Sequence, residues 1–265
     1  MALFKKKEKV RENRGIFNNA VDYSVYHMSF SEKLIGGFVG YGLGFIALYV
    51  FFQFLPLSII APIFLIPVGI NVFNKILRER RDNMLVMQFR DMLESLTTSY
   101  DSGNNTNEAF ADAYKDMVTQ FGDKAYISKE MKIINQGIQN NLTIEQMLND
   151  FGARSHNEDI QSFADVFVAA NRAGGNINSI IRNTKTVISD KINIELELET
   201  LISGKKNELN IMIVLPFIIV TQVQGFNSGA TDAKAVIIGV VSRIVALIMF
   251  VVAYIIGQKM IKIKL

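Results

Sequence analysis

The stretch Leu34 to Asn74, LIGGFVGYGLGFIALYVFFQFLPLSIIAPIFLIPVGINVFN, decides the fold, because its 41 residues contain no charged side chain. As a single helix it would be about 60 Å long, twice the roughly 30 Å thickness of a bilayer's hydrocarbon core. Two membrane-crossing helices joined by a tight reversal fit this length better, and Pro56 is the natural place for the turn. The stretch therefore predicts a hairpin of two transmembrane helices.

Two further uncharged runs lie near the end of the chain, Leu209 to Thr231 and Ala235 to Gln258, and only Arg243 interrupts the second. Between Arg243 and Lys259 a helix would be about 24 Å long, close to the thickness of a bilayer core. We therefore expect Arg243 at the membrane interface, near the outer headgroups, although a buried functional charge is the alternative. The sequence predicts four transmembrane helices in all.

The basic residues predict the orientation. Sixteen lysines and arginines flank the four runs on one side: Lys5, Lys6, Lys7, Lys9, Arg11, Arg14, Lys33, Lys75, Arg78, Arg80, Arg81, Lys205, Lys206, Lys259, Lys262 and Lys264. Only Lys234 and Arg243 fall on the other side. The positive-inside rule then places both termini and the central segment in the cytoplasm.

This topology divides the chain into five parts. A cytoplasmic basic N-terminal arm, 1–33, is expected to lie along the inner leaflet, and a transmembrane hairpin follows at 34–74. A cytoplasmic helical domain spans 75–208, two more transmembrane helices span 209–258, and a basic cytoplasmic tail spans 259–265. The net charge is +3 overall, but the central domain is acidic. Its acidic surface is therefore either a binding surface for a partner or simply a solvated helical surface.

The central domain is predicted to be all-α. All four prolines lie in or beside the membrane runs, at 56, 62, 67 and 216. A stripe at helical spacing opens the domain, formed by Leu85, Phe89, Met92, Leu93, Leu96 and Tyr100. Gly103 ends that helix, and Asn105 with Glu108 resembles a capping box for the next. The alternating stretch at 192–199 is strand-like, but we interpret it as helix because Ile194 and Leu198 continue a helical stripe.

Few residues suggest chemistry. Gly174 and Gly175, followed by Asn176, favour a helix end and a tight turn over a phosphate-binding loop, since no strand precedes them and no GK[ST] follows. A positive φ at Gly175 would make its replacement by valine costly. The chain has no cysteine and only two histidines, so neither a disulfide nor a zinc site is expected.

The remaining polar candidates are carboxylates. Glu195, Glu197 and Glu199 would either hold a cation or form a solvated face, and we favour the solvated face. No constellation for acid–base or nucleophilic catalysis is convincing. We therefore expect no enzymatic activity, no cofactor and no metal.

Three segments resemble a known family. They are QFRDMLESLTTSYDSGNNTNEAF at Gln88–Phe110, GIQNNLTIEQMLNDFGAR at Gly137–Arg154, and FADVFVAANRAGGNINSIIRNTKTVISDK at Phe163–Lys191. Together with the two closing hydrophobic runs, they resemble the type II secretion system F domain. The resemblance is closer to the single-domain, TadB-like platform proteins of tight-adherence (Flp) pili, and it covers roughly Met84 to Leu265.

This resemblance implies a non-enzymatic, multi-pass platform protein in the inner membrane of a prokaryote. Such a protein couples a cytoplasmic ATPase to the extraction of pilins and the assembly of a type IV filament. Its expected partners are the ATPase, pilin subunits, membrane lipid and a second platform protein or another copy of itself, and no nucleic acid. The alternatives are a transporter, for which the predicted helices carry few polar residues, and a signalling protein.

Two surfaces of the helical domain are candidates for binding the ATPase. One is the acidic helix faces around Asp112, Asp116 and Glu130. The other is the polar loops near Asn104 and Asn140, which are expected to reach away from the membrane.

Overall fold

The computed structural model describes residues 13–18, 20–52 and 54–226, with 245, 248 and 252. Within these residues the chain is all-helical and has no strand. The helices are α1 (Phe30–Phe52), α2 (Leu55–Ile60), a 3₁₀ helix (Ala61–Leu65), α3 (Ile66–Asp101), α4 (Thr106–Phe121), α5 (Tyr126–Gln139), α6 (Ile144–Ser155), α7 (Glu158–Ala173) and α8 (Ile177–Phe226). Arg243, most of the predicted fourth pass and the end of the third lie outside the described residues.

The chain divides into two compact units. The first, here called the helical domain, contains the described part of Met1–His27 and the whole of Ile76–Asn193. The second, here called the membrane unit, contains Met28–Lys75 and the described part of Ile194–Leu265. The boundary between the two units after Lys75 lies inside α3, and the boundary after Asn193 lies inside α8.

Local sequence explains where the helices of the domain begin. The Asn105 side chain accepts from the Glu108 amide while the Glu108 carboxylate accepts from the Asn105 amide, so the predicted capping box at the start of α4 is confirmed. Thr143 and Gln146 form a second capping box at the start of α6. These side chains satisfy amide donors that the first turn of a helix leaves unpaired.

A single apolar core holds the helices of the domain together. On α3 it contains five of the predicted stripe positions, Leu85, Phe89, Met92, Leu93 and Leu96, each at most 1% exposed. The core is aromatic at its centre, where the ring centroids of Phe89 and Phe163 lie 5.5 Å apart in an edge-on arrangement. The part of α8 in this domain adds only two fully buried side chains, Ile181 and Ile188.

The membrane unit packs two of its helices through glycine. A Cβ built on Gly40 of α1 would lie 2.9 Å from the Cα of Gly69 on α3, and one built on Gly69 would lie 2.6 Å from the Gly36 carbonyl oxygen. Only glycine allows backbones to approach so closely. Phe30–Phe52 and Leu55–Asp101 are both long and apolar enough to cross a membrane.

The described part of the N-terminal arm up to His27, residues 13–18 and 20–27, forms an irregular segment that we call the strap. The strap belongs to the helical domain, and its Tyr23 is 1% exposed within the core. The Tyr23 amide donates to the carbonyl of Arg154 at the end of α6. The strap is therefore packed into the core of the domain and hydrogen-bonded to it.

Candidate functional site

Three polar turns gather at one end of the bundle, which we call the turn end. The start of α4, the α5–α6 turn and Asn171 of α7 line one shallow concavity. Asn171 donates to the Glu145 carboxylate of α6 at 2.6 Å. At the last residue of α3, the Asp101 carboxylate accepts from Arg182 of α8 at 2.9 Å. The α3–α4, α5–α6 and α7–α8 turns therefore share one end.

Four of the five predicted partner-binding residues lie at the surface of the helical domain, three of them at the turn end and Asp116 further along α4. Asn104 lies in the α3–α4 turn and donates to the Asp112 carboxylate at 3.1 Å. Asp112 also accepts from Lys115 and keeps 42% of its side chain exposed. Asp116 is exposed and accepts from Ser95, and Asn140, exposed, ends α5.

The turn glycines have different roles. Gly103 and Gly174 take positive φ, 87° and 66°, and each follows the last residues of a helix. Gly175 does not take a positive φ, so the condition under which its replacement by valine would strain the backbone is not met; the positive φ lies at Gly174 instead. A Cβ on Gly175 would instead lie 3.3 Å from Ala170. The Asn176 side chain caps α8 by accepting from the Ser179 amide.

Glu130, the fifth predicted partner-binding residue, is not at the surface. Its side chain is fully buried, and both carboxylate oxygens accept from Arg154, at 2.7 and 3.0 Å. The reason is its place in α5, where it lies on the same face as the buried Ile127, Met131 and Ile134. Glu130 is therefore a structural residue of the core.

Three neighbouring groups form further hydrogen bonds with the Glu130–Arg154 pair. The Tyr23 hydroxyl donates to Glu130 at 3.0 Å. Arg154 also donates to the Val21 carbonyl at 3.0 Å and to the Asp150 carboxylate at 2.8 Å. A buried ion pair is tolerated only when its remaining donors and acceptors are satisfied, as they are here.

The strap closes over this network at two points. At the first, a Cβ on Gly15 would lie 2.8 Å from both Arg154 and Asp150, and the Ile16 amide donates to Asp150. At the second, Arg81 of α3 donates to the backbone carbonyls of Tyr23 and Val25. The strap is thus fixed by charged groups of α3 and α6.

Electrostatics keep two groups of this network, Tyr23 and Arg154, in their protonated forms. Burial raises the pKa of Tyr23 well above its usual range, and the Glu130 charge raises it further, so the phenol stays a donor. Burial acts to lower the pKa of Arg154, but its hydrogen bonds to the Glu130 and Asp150 carboxylates, together with their negative charges, raise the pKa overall. Tyr23 and Arg154 therefore remain hydrogen-bond donors within the network.

The other candidates do not form a site among the described residues. No group of three or more potential metal ligands occurs there. His156 pairs with Asp22 of the strap, at 3.1 Å. Glu195 and Glu197 are exposed on α8, and the side chain of Glu199 lies outside the described residues.

The sequence did not predict that the strap packs into the helical domain, nor that Glu130 and Arg154 form a buried ion pair. Arg154 is the only basic residue of α6, and it follows the acidic Asp150 by one helical turn, which is the signal that an ion pair could form there. Nothing in the sequence pairs either residue with Tyr23 or Glu130, because these are far apart along the chain.

Comparison of the chain with protein-family models, with curated proteins and with solved structures gives no match. The fold by itself defines a class, an all-helical protein with two helices apolar enough to cross a membrane.

Proposed function

We propose that this chain is a non-enzymatic platform protein of a type IV filament or a related secretion machine, anchored in the inner membrane of a prokaryote by four helices. Its helical domain binds a cytoplasmic ATPase, and its membrane helices pass pilin subunits into the filament. One observation supports this proposal most directly. Two helices, α3 and α8, are each continuous from the acidic helical domain into the hydrophobic membrane unit.

The turn end is the ATPase-binding surface in this proposal. It carries acidic residues on several helices: Asp101, Glu108, Asp112 and Glu145. Asp101 and Asp112 already pair with Arg182 and Lys115, so Glu108 and Glu145 supply the remaining negative charge of this group. Charges of one sign steer a partner of the opposite sign and set its orientation. We therefore expect the ATPase to present a basic surface to this end.

The mechanism is mechanical. A change of shape in the ATPase displaces the helical domain, and α3 and α8 carry the displacement into the membrane unit. A well-packed bundle transmits force because its core is not easily deformed. Hydrolysis stays with the ATPase, and this chain supplies the moving connection.

Charge reversal tests the proposed contact. We expect Asp112→Lys combined with Asp116→Lys to abolish filament assembly and to weaken co-purification with the cognate ATPase. A contact carried by surface charge weakens further as the salt concentration rises. Membrane abundance of the variant should equal that of the unmodified protein, because both aspartates are outside the core.

A matched control separates this contact from a general effect of charge. Asp165 on α7 and Asp190 on α8 are also exposed, and their replacement by lysine makes the same change in net charge. We expect this second variant to assemble filaments normally. Normal filaments in the Asp112/Asp116 variant would exclude this surface, and failure to cross-link with any secretion ATPase or pilin would refute the platform role.

A further inference from the structure

The part of α8 that belongs to the helical domain, residues 177–193, is attached to the bundle less firmly than α7. Only two of its side chains, Ile181 and Ile188, are fully buried, while Ile177 and Ile192 pack against the edge of the core. On the shorter α7, four side chains are buried in the core: Ile160, Phe163, Ala164 and Phe167. Because apolar attachment grows with the area removed from water, this part of α8 is the more weakly held of the two helices.

Ion pairs supply a large part of the remaining attachment. Three of them, here called the clasp, join this part of α8 to α3 and α7: Asp101–Arg182 at 2.9 Å, Glu94–Lys185 at 2.5 Å and Asp159–Lys191 at 2.8 Å. In each pair at least one side chain is more than half exposed. Exposed ion pairs are individually weak, and salt screens them, since the Debye length falls from about 10 Å at 0.1 M to about 3 Å at 1 M. The clasp is therefore an attachment that salt or a competing charge opens.

The turn before α8 allows the helix to move as a unit. Gly174 in this turn has a φ of 66° and open space where a Cβ would lie. Glycine tolerates the wide changes of φ and ψ that a hinge requires. The Asn176 side chain accepts from the Ser179 amide at 3.1 Å, so the first turn of α8 is capped from its own end of the chain and not by the bundle. The helix can therefore leave the bundle with its own hydrogen bonds intact.

Asp101 connects the clasp to the turn end. Its carboxylate accepts from Asn178 at 2.5 Å and from Arg182 at 2.9 Å, and 49% of its side chain remains exposed. The side-chain oxygen of Asn178 is buried and has no hydrogen-bond donor among the described residues, which destabilises the attached arrangement. A cationic group that arrives at the turn end therefore competes with Arg182 for a carboxylate that holds α8.

We propose that residues 177–193 of α8 are a detachable arm, and that a basic partner surface at the turn end releases this arm by taking Asp101 from Arg182. The release rests on the proposed function, in which the ATPase presents that basic surface. Beyond Asn193 the same helix continues into the membrane unit. Opening the clasp therefore removes the constraint that the bundle places on a helix leading to the membrane, and this couples ATPase binding to the membrane helices.

Hydrogen–deuterium exchange of the full chain in detergent, measured by mass spectrometry, tests the detachment. When the salt concentration rises from about 0.05 M to about 0.5 M, we expect the amides of 177–193 to exchange about tenfold faster. The amides of α4 to α7 should change little, because apolar burial holds those helices. An α8 that stays protected at high salt, or an equal acceleration in α7 and α8, would overturn the proposal.

Variants assign the effect to the clasp. Arg182→Gln combined with Lys185→Gln should accelerate the exchange of 177–193 at low salt, whereas the control, Lys129→Gln combined with Lys132→Gln, removes two exposed cations from α5 and should leave α8 protected. A charge exchange provides a rescue that does not depend on the double variant folding. Lys185→Glu alone should accelerate the exchange, and adding Glu94→Lys should restore protection. Equal exchange in the clasp and control variants, or no restoration, would contradict the clasp.

A basic peptide tests the release. A short oligoarginine peptide, added at low salt, should accelerate the exchange of 177–193, and an oligoglutamate peptide of the same length should not. If oligoarginine leaves α8 as protected as oligoglutamate does, release through Asp101 is wrong. That result is distinguishable from failure of the proposed function, because co-purification with the ATPase reports the contact itself and requires no movement of α8.

Discussion

The helical domain and the membrane unit bring their helices together in opposite ways. In the domain, large side chains such as Phe89, Phe110 and Phe167 have no exposed surface at all. In the membrane unit, Phe38 and Phe64 are about four-fifths exposed, at 79% and 80%, while the helices meet at glycine. This difference in packing follows from the medium that suits each unit, which is water for the helical domain and lipid for the membrane unit.

Water drives large apolar side chains into a core, whereas lipid tails are as apolar as those side chains and exert no such force. Helices in lipid associate through close backbone packing, for which small residues are needed. The domain should therefore be sensitive to loss of buried groups, and the membrane unit to gain of volume. The following predictions test that contrast, from the largest expected effect to the smallest.

Arg154→Met should have the largest effect, lowering the free energy of unfolding by about 3–5 kcal/mol, because it leaves the Glu130 charge buried without a partner. Thermal unfolding of the full chain in detergent, followed by circular dichroism, measures it. Arg172→Met, at an exposed site on α7, should change stability by less than about 0.5 kcal/mol. Equal effects of the two substitutions would show that the buried pair contributes nothing.

Gly40→Leu should cost about 1–3 kcal/mol or more in the membrane unit, because its side chain would meet the Gly69 backbone. Gly42 is two residues further along the same helix, and a Cβ there has nothing within 4 Å. Gly42→Leu is therefore a closely matched control, with little expected change. Thermal stability in nanodiscs measures both, and a Gly40→Leu variant as stable as Gly42→Leu would disprove the close helix contact.

Gly174→Ala should cost about 1 kcal/mol although its Cβ has open space, because an L-residue is strained at a φ of 66°. Gly204 lies inside α8, also with open space but without a positive φ. Gly204→Ala should stabilise the helix by about 0.5–1 kcal/mol. Changes of the same sign in the two variants would contradict the left-handed turn after α7.

The smallest effect is expected at acid pH. Burial alone would raise the pKa of Asp22, but hydrogen bonds from Ser24 and the Asn13 amide lower it below its usual value of 3.8. The unfolded chain therefore takes up this proton first, and the stability that Asp22 contributes is lost as the pH falls from about 4 towards the lower folded-state value. Asp22→Asn should flatten this part of the stability profile between pH 5 and pH 3, roughly. An unchanged acid limb would mean that the Asp22 contacts do not hold the strap.

The sequence by itself determined the elements of this protein. Hydrophobic spacing identified the buried face of α3, Asn105 and Glu108 identified the start of α4, and the absence of charge from 34 to 74 identified helices long and apolar enough to cross a membrane. Each of these signals is local, because helix periodicity, caps and membrane length depend on neighbours within a few residues.

Only the tertiary structure decided which polar residues are surface and which are core. Glu130 looked like any acidic residue of an exposed helix, yet Arg154 and Tyr23, 24 and 107 residues away, enclose it. Gly40 and Gly69 likewise gave no sign of their contact. Such pairings cannot be read from a single sequence, because they depend on how helices distant along the chain pack, and a carboxylate is stable in a core only where that packing supplies its partners.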